Sequence, residues 1–100
     1  MSKYAMFGKL TAQPGKREAL ARMMLESNDT LSGMEGCIYY IIHASEENED
    51  DLWITELWEN EEAHAASLRN ESVRELIGRC MPLIAGVGGI KVKPLGGIGF

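Results

Sequence analysis

Hydrophobic positions along this chain switch between short apolar runs and helical spacing, and each switch marks a new element. Lys3–Thr11, KYAMFGKLT, mixes aromatic and apolar residues and stops at Gln13-Pro14-Gly15. Its short length and the Pro-Gly stop predict a strand, in which Gly8 marks a bulge or a place of close approach. From Lys16 to Leu31, Leu20, Met23, Met24, Ser27 and Leu31 recur on one side, with Lys16, Arg17, Glu18, Arg22 and Glu26 on the other. That is an amphipathic helix, started by Pro14 and Gly15 and left through Gly33 and Gly36. Cys37–Ala44, CIYYIIHA, reads as a strand that is apolar on both faces. The acidic stretch Ser45–Asp51 is a hairpin loop, and Leu52–Trp58 returns antiparallel. Asn60 is a good N-cap, and Glu61 and Glu62 in the first turn complement the dipole of a helix running to about Leu68. Asn70 starts a second helical segment marked by Val73, Leu76, Ile77, Cys80 and Ile84, which Pro82 should bend or end. Gly86, Gly88 and Gly89 read as a turn. Gly89–Leu95 reads as a last strand held to an edge by Pro94.

The order is β-α-β-β-α-β. It predicts an α+β, ferredoxin-like fold with a four-stranded antiparallel sheet and helices on one side. Size predicts a single domain over residues 1–100, with a core of about 3–95 and a tail at 96–100 that is mobile unless Ile98 and Phe100 dock. The alternation leaves a problem. Cys37, Tyr39, Ile41 and His43 point one way, and Ile38, Tyr40 and Ile42 the other; Trp53, Thr55 and Leu57 alternate with Leu52, Ile54 and Trp58 in the same fashion. A soluble monomer rarely exposes so large an apolar face, so a second copy packed sheet to sheet is expected.

Charge narrows the partners. The chain has 15 acidic against 10 basic residues, a net charge of −5, and its positives form no run. That argues against nucleic acid and against an anionic membrane surface. No apolar run reaches the ~20 residues of a membrane helix, and the first residues lack the unbroken apolar core of a signal peptide. Cys37 and Cys80 sit among apolar neighbours and read as buried free thiols of a cytoplasmic protein, with a disulfide as the rival reading. Neither their spacing nor the acidic loop matches a metal site, so no metal is expected.

The chain carries no GxSxG, P-loop or HExxH motif. The candidates for chemistry are therefore scattered. His43 on a strand reads first as a hydrogen-bonded structural imidazole. His64 shares the helix side of Asn60 and Leu68 and follows Trp58 across the strand-to-helix turn, so it can reach the same pocket and move a proton near neutral pH. Trp58 can be core or the wall against which a flat ring stacks.

Four stretches in this order, GKLTAQPGKREAL, GCIYYIIHA, WITELWENEEAHAASL and RCMPLIAG, resemble the antibiotic biosynthesis monooxygenase family, and within it the quinol monooxygenase group. The resemblance implies a homodimer whose sheets form a dimeric α+β barrel, with a pocket between sheet and helices in each subunit. It implies oxidation of a small electron-rich quinol, phenol or anthrone by O2 with no metal, flavin or haem cofactor. For that chemistry the chain offers Trp58 as the pocket wall, His64 as the nearest polar group and catalytic candidate, and His43, Tyr39 or Tyr40 as secondary donors to the substrate; of these the resemblance itself carries over Trp58 alone. Many relatives carry a histidine where Ser67 and Ser72 stand here, which leaves His64 as the stand-in. The haem-degrading branch uses a histidine in the later helix and an asparagine on the first strand, near the places where Ile77 and Gly8 stand here, so haem degradation is not expected. The alternatives are a non-catalytic dimeric ligand-binding or stress-related protein, and a structural partner whose pocket is merely core. A cavity of ~300 Å³ or more beside Trp58 and a histidine would favour the first two readings.

Overall fold

The computed structural model describes residues 3–26 and 32–100. Strand β1 spans Tyr4–Ala12, helix α1 Arg17–Leu25, β2 Cys37–Ala44 and β3 Asp51–Trp58. Helices α2 (Glu61–Ser67) and α3 (Glu71–Cys80) follow, then a 3-10 turn at Met81–Leu83 and β4 at Ile84–Val92. The strands form one antiparallel sheet in the order β2-β3-β1-β4. This is the expected ferredoxin-like α+β fold, with its second helical region divided in two. The expected extension of α1 through Ser27 to Leu31 lies outside the described residues.

The divided region follows from two asparagines. Asn60 Oδ1 accepts from the Ala63 N–H at 2.8 Å, and Asn70 Oδ1 accepts from the Val73 N–H at 3.1 Å. Each satisfies an amide that the first helical turn would leave unpaired. Asn60→Ala should therefore cost about 1 kcal/mol, seen as a lower denaturation midpoint; an unchanged midpoint would show that the cap holds nothing. Behind the caps, α1 and α3 pack on the sheet through Leu20, Met24 and Cys80 against Ala12, Leu52 and Ile54. At the start of α1, Arg17 donates to the Ser45 and Asn48 carbonyls at 2.9 and 3.0 Å, tying the acidic hairpin to the helix.

Two expectations are corrected. The last strand is not Gly89–Leu95 after a glycine turn: Gly86, Gly88 and Gly89 lie inside β4, paired with Thr11, Lys9 and Gly8. A full ladder partner in β1 outweighs the weak strand preference of glycine. Gly89 is needed there, since its φ is +149° and a Cβ would come 2.7 Å from the Phe7 carbonyl oxygen. Cys37 also does not share a face with Tyr39. A register shift pairs Cys37 with Trp58 and Tyr39 with Leu57. The extra residue of this bulge, Ile38, turns Cys37 to the helix side.

From Tyr39 onward the alternation runs as read. Tyr40 and Ile42 pack toward the helices. Phe7, Tyr39, Ile41, Trp53 and Ile90 remain on the outer face at between 37% and 60% exposure. The C-terminal tail borders that face: Lys3 Nζ donates to the Phe100 carbonyl at 2.9 Å and lies 4.1 Å from its ring centroid. Phe100 is thus anchored, while Ile98 stands fully exposed.

Candidate active site

Strand β3 turns alternate residues toward the helices, so Glu56 follows Ile54 and precedes Trp58 on the inner face. In register it pairs with Met6 of β1 and Tyr40 of β2. The Trp58 Nε1–H donates to Glu56 Oε1 at 3.0 Å, and His64 Nε2 lies 3.7 Å from the same oxygen. Both side chains are largely buried, Glu56 at 12% and His64 at 14% exposure. Burial raises the Glu56 pKa above its usual value, and the Trp58 bond and His64 oppose that rise only in part. The carboxyl is therefore a stronger proton acceptor than one in water.

His64 is held by its helix and by two rings. Ser67 Oγ donates to the His64 carbonyl at 2.6 Å. The Tyr4 ring stacks on the imidazole with centroids 4.8 Å apart, and the Trp58 ring meets it edgewise at 5.6 Å. Packing of this kind fixes the imidazole's direction toward Glu56.

In front of Glu56 lies a cavity of about 340 Å³, between the sheet and helices α1 and α3. Met6, Gly8 and Leu10 of β1 form one wall, and Leu76, Ile77 and Cys80 of α3 another. Ile77, Met81 and Val87 on its rim are exposed, so the mouth opens between α3 and the edge strand β4. The Glu56 carboxylate and the Tyr40 phenol bring polar chemistry to this apolar lining. Burial pushes the Tyr40 pKa far up, with Glu56 adding to it, so the phenol stays protonated and can donate. Lys9 also borders the cavity, but its ammonium sits 5.7 Å from the Trp53 ring centroid. Cys80 in the wall is a free thiol whose pKa burial raises, which makes it a poor nucleophile.

The sequence-predicted residues fall into three groups. Tyr40 lines the cavity. His64 and Trp58 stand one layer behind it and reach it through Glu56; Trp58 is only 1% exposed and is not itself the wall. Tyr39 and His43 lie across the sheet. His43 Nε2 is 3.0 Å from Thr55 Oγ1, and Tyr39 borders a second hollow of about 480 Å³ between the tail and the outer face. Strand alternation explains this separation, because odd-numbered residues from Tyr39 point away from the helices. Glu56 was missed. The signal for it was a carboxylate at an inward position of an otherwise apolar strand, between Ile54 and Trp58.

The sequence profile described as antibiotic biosynthesis monooxygenase matches residues 4–79. A crystal structure of a protein from Chloroflexus aurantiacus, proposed as an antibiotic biosynthesis monooxygenase, is 38% identical. The alignment covers 96% of each chain, with a TM-score of 0.86. A protein from Nitrosomonas europaea with the same proposed assignment shares the fold at 14% identity. It covers 94% of this chain and 91% of its own, with a TM-score of 0.87. A Bacteroides thetaiotaomicron protein of unknown function, suggested to be an oxidoreductase, is 23% identical. It covers 92% of this chain and 97% of its own, with a TM-score of 0.82. Among proteins of curated function, none matches significantly. The profile match across β1 to α3, with the Chloroflexus likeness, shows that the chain belongs to the antibiotic biosynthesis monooxygenase family.

Proposed function

We propose that this protein is a cofactor-independent monooxygenase that oxidises a small electron-rich aromatic, a quinol, phenol or anthrone, with O2. The observation that carries this reading is a buried carboxylate, backed by an imidazole, at the inner wall of an apolar cavity. An electron-rich ring reduces O2 far more readily once it has lost a proton. Glu56 takes that proton, and the Tyr40 hydroxyl donates to the oxygen that becomes negative. The anion passes an electron to O2, the two radicals join as a peroxide anion, and Glu56 returns the proton to give a hydroperoxide. Loss of water then leaves the carbonyl. For an anthrone, the ring CH2 and one O2 become C=O and one H2O, so no outside reductant is needed. The Trp58 N–H fixes Glu56, and His64 shares the proton that Glu56 has taken.

No helix among the described residues is long and apolar enough to cross a membrane. The free thiols suit a reducing cytoplasm, which we take as the site of action. The half-exposed apolar side chains on the outer face of the sheet support a homodimer in which two sheets cover each other.

Oxygen uptake with a panel of hydroquinones and anthrones tests the reaction. Uptake of one O2 per substrate oxidised is expected. Uptake no faster than the uncatalysed rate across the panel would overturn the enzyme reading and leave the ligand-binding alternative. His64→Ala should lower turnover by about a hundredfold with only a small shift in melting temperature, and added imidazole should restore part of the rate. Equal loss of turnover and stability would make His64 structural.

A further inference from the structure

Gly8 is a glycine that its backbone does not require. It lies mid-strand in β1, paired with Ile54 on one side and Gly89 on the other. Its φ is outside the left-handed region that favours glycine. Glycine in a strand interior costs roughly 0.5–1 kcal/mol relative to alanine. Its partner Gly89 earns its place through a positive φ and the press of the Phe7 carbonyl. Gly8 has no such reason: a Cβ built on it meets no atom within 4 Å. The space that Cβ would enter is the cavity in front of Glu56, which Gly8 lines.

The effect of this glycine is therefore to leave room. A cavity of ~150 Å³ holds a benzene ring, and this one measures about 340 Å³. Gly8 also lies away from the polar end. Met6 is the β1 partner of Glu56, and Gly8 is the next inward position along the strand, roughly 7 Å on. The far end of an extended molecule anchored at Glu56 falls over Gly8.

We infer that Gly8 is the specificity-determining residue of this site and admits a flat hydroxylated aromatic of two or three fused rings, anchored at Glu56 and Tyr40. The inference rests on the monooxygenase reading for the choice of an electron-rich aromatic. Its test is therefore equilibrium binding without oxygen. Hydroquinone, with one ring, and 1,8-dihydroxyanthrone, with three, are titrated under argon by tryptophan fluorescence. The proteins are the wild type, Gly8→Ala, Gly8→Val and Gly8→Leu. The melting temperature should hold or rise in the alanine and valine variants. Affinity for the three-ring probe should fall by about tenfold or more from glycine to leucine, while that for the one-ring probe changes by less than about threefold. Parallel loss of both probes, no loss of the larger one, a lower melting temperature in Gly8→Ala, or a wild type that binds neither probe would each overturn the inference. Size discrimination in binding without any oxygen uptake would instead overturn the monooxygenase reading and leave the role of Gly8 standing.

Discussion

Glu56→Gln should lower turnover by roughly 10²–10⁴-fold while leaving the melting temperature at neutral pH unchanged or higher. Glutamine keeps the shape of the side chain and an Oε1 that can still accept the Trp58 N–H. What it loses is the capacity to take a proton. The stability half follows from the sign of the pKa shift. Burial raises the folded-state pKa of Glu56 above its unfolded value. Its contribution to stability is then full below the unfolded pKa and lost as pH rises through the folded one. At neutral pH the ionised carboxylate is held in a largely buried place at a cost that glutamine avoids. The activity half has the opposite sign, because a base acts only when ionised. In the wild type kcat/KM should rise with pH along a limb lying above the ordinary glutamate value of about 4.3. The groups that face Glu56 and shape that limb are Cys37 and Tyr40 from β2 and His64 from α2. The glutamine variant should lack the limb. Unchanged turnover in Glu56→Gln would move the base elsewhere.

Trp53→Glu should turn a dimer into a monomer. Trp53 stands near Ile41 and His43 on the outer face, where five large side chains remain exposed on the isolated chain. Sheet-to-sheet packing of two copies would bury this face. The variant would then bring two unpaired carboxylates into a dry contact, at a cost of several kcal/mol each. Light scattering at micromolar concentration should give twice the chain mass for the wild type and the chain mass for the variant. A monomeric wild type would remove the dimer from the account, and a dimeric variant would place the contact on another surface.

The sequence shows the fold more fully than the site, and particular residues say why. Asn60 and Asn70 announce their helices because a cap is a local device. The strand Cys37–Ala44 is legible because apolar alternation is local too. The glycines of β4 mislead because their strand exists only through its pairing with β1, which is distant in sequence. The same limit hides the site. Trp58 and His64 attract notice by residue type, yet what they hold in place is Glu56, an ordinary surface residue on most strands. Its meaning comes from facing inward opposite Tyr40 and in front of an empty space. Tyr39 and Tyr40 look alike in the sequence, and one step of strand alternation sends them to opposite sides of the sheet.

The most direct test of the site is a crystal structure of the protein with 1,8-dihydroxyanthrone bound under argon. The rings should lie between the sheet and α3, with a substrate oxygen about 2.6–3.2 Å from the Glu56 carboxylate. The molecule seated instead in the hollow between the tail and the outer face, with the cavity before Glu56 left empty, would contradict the account.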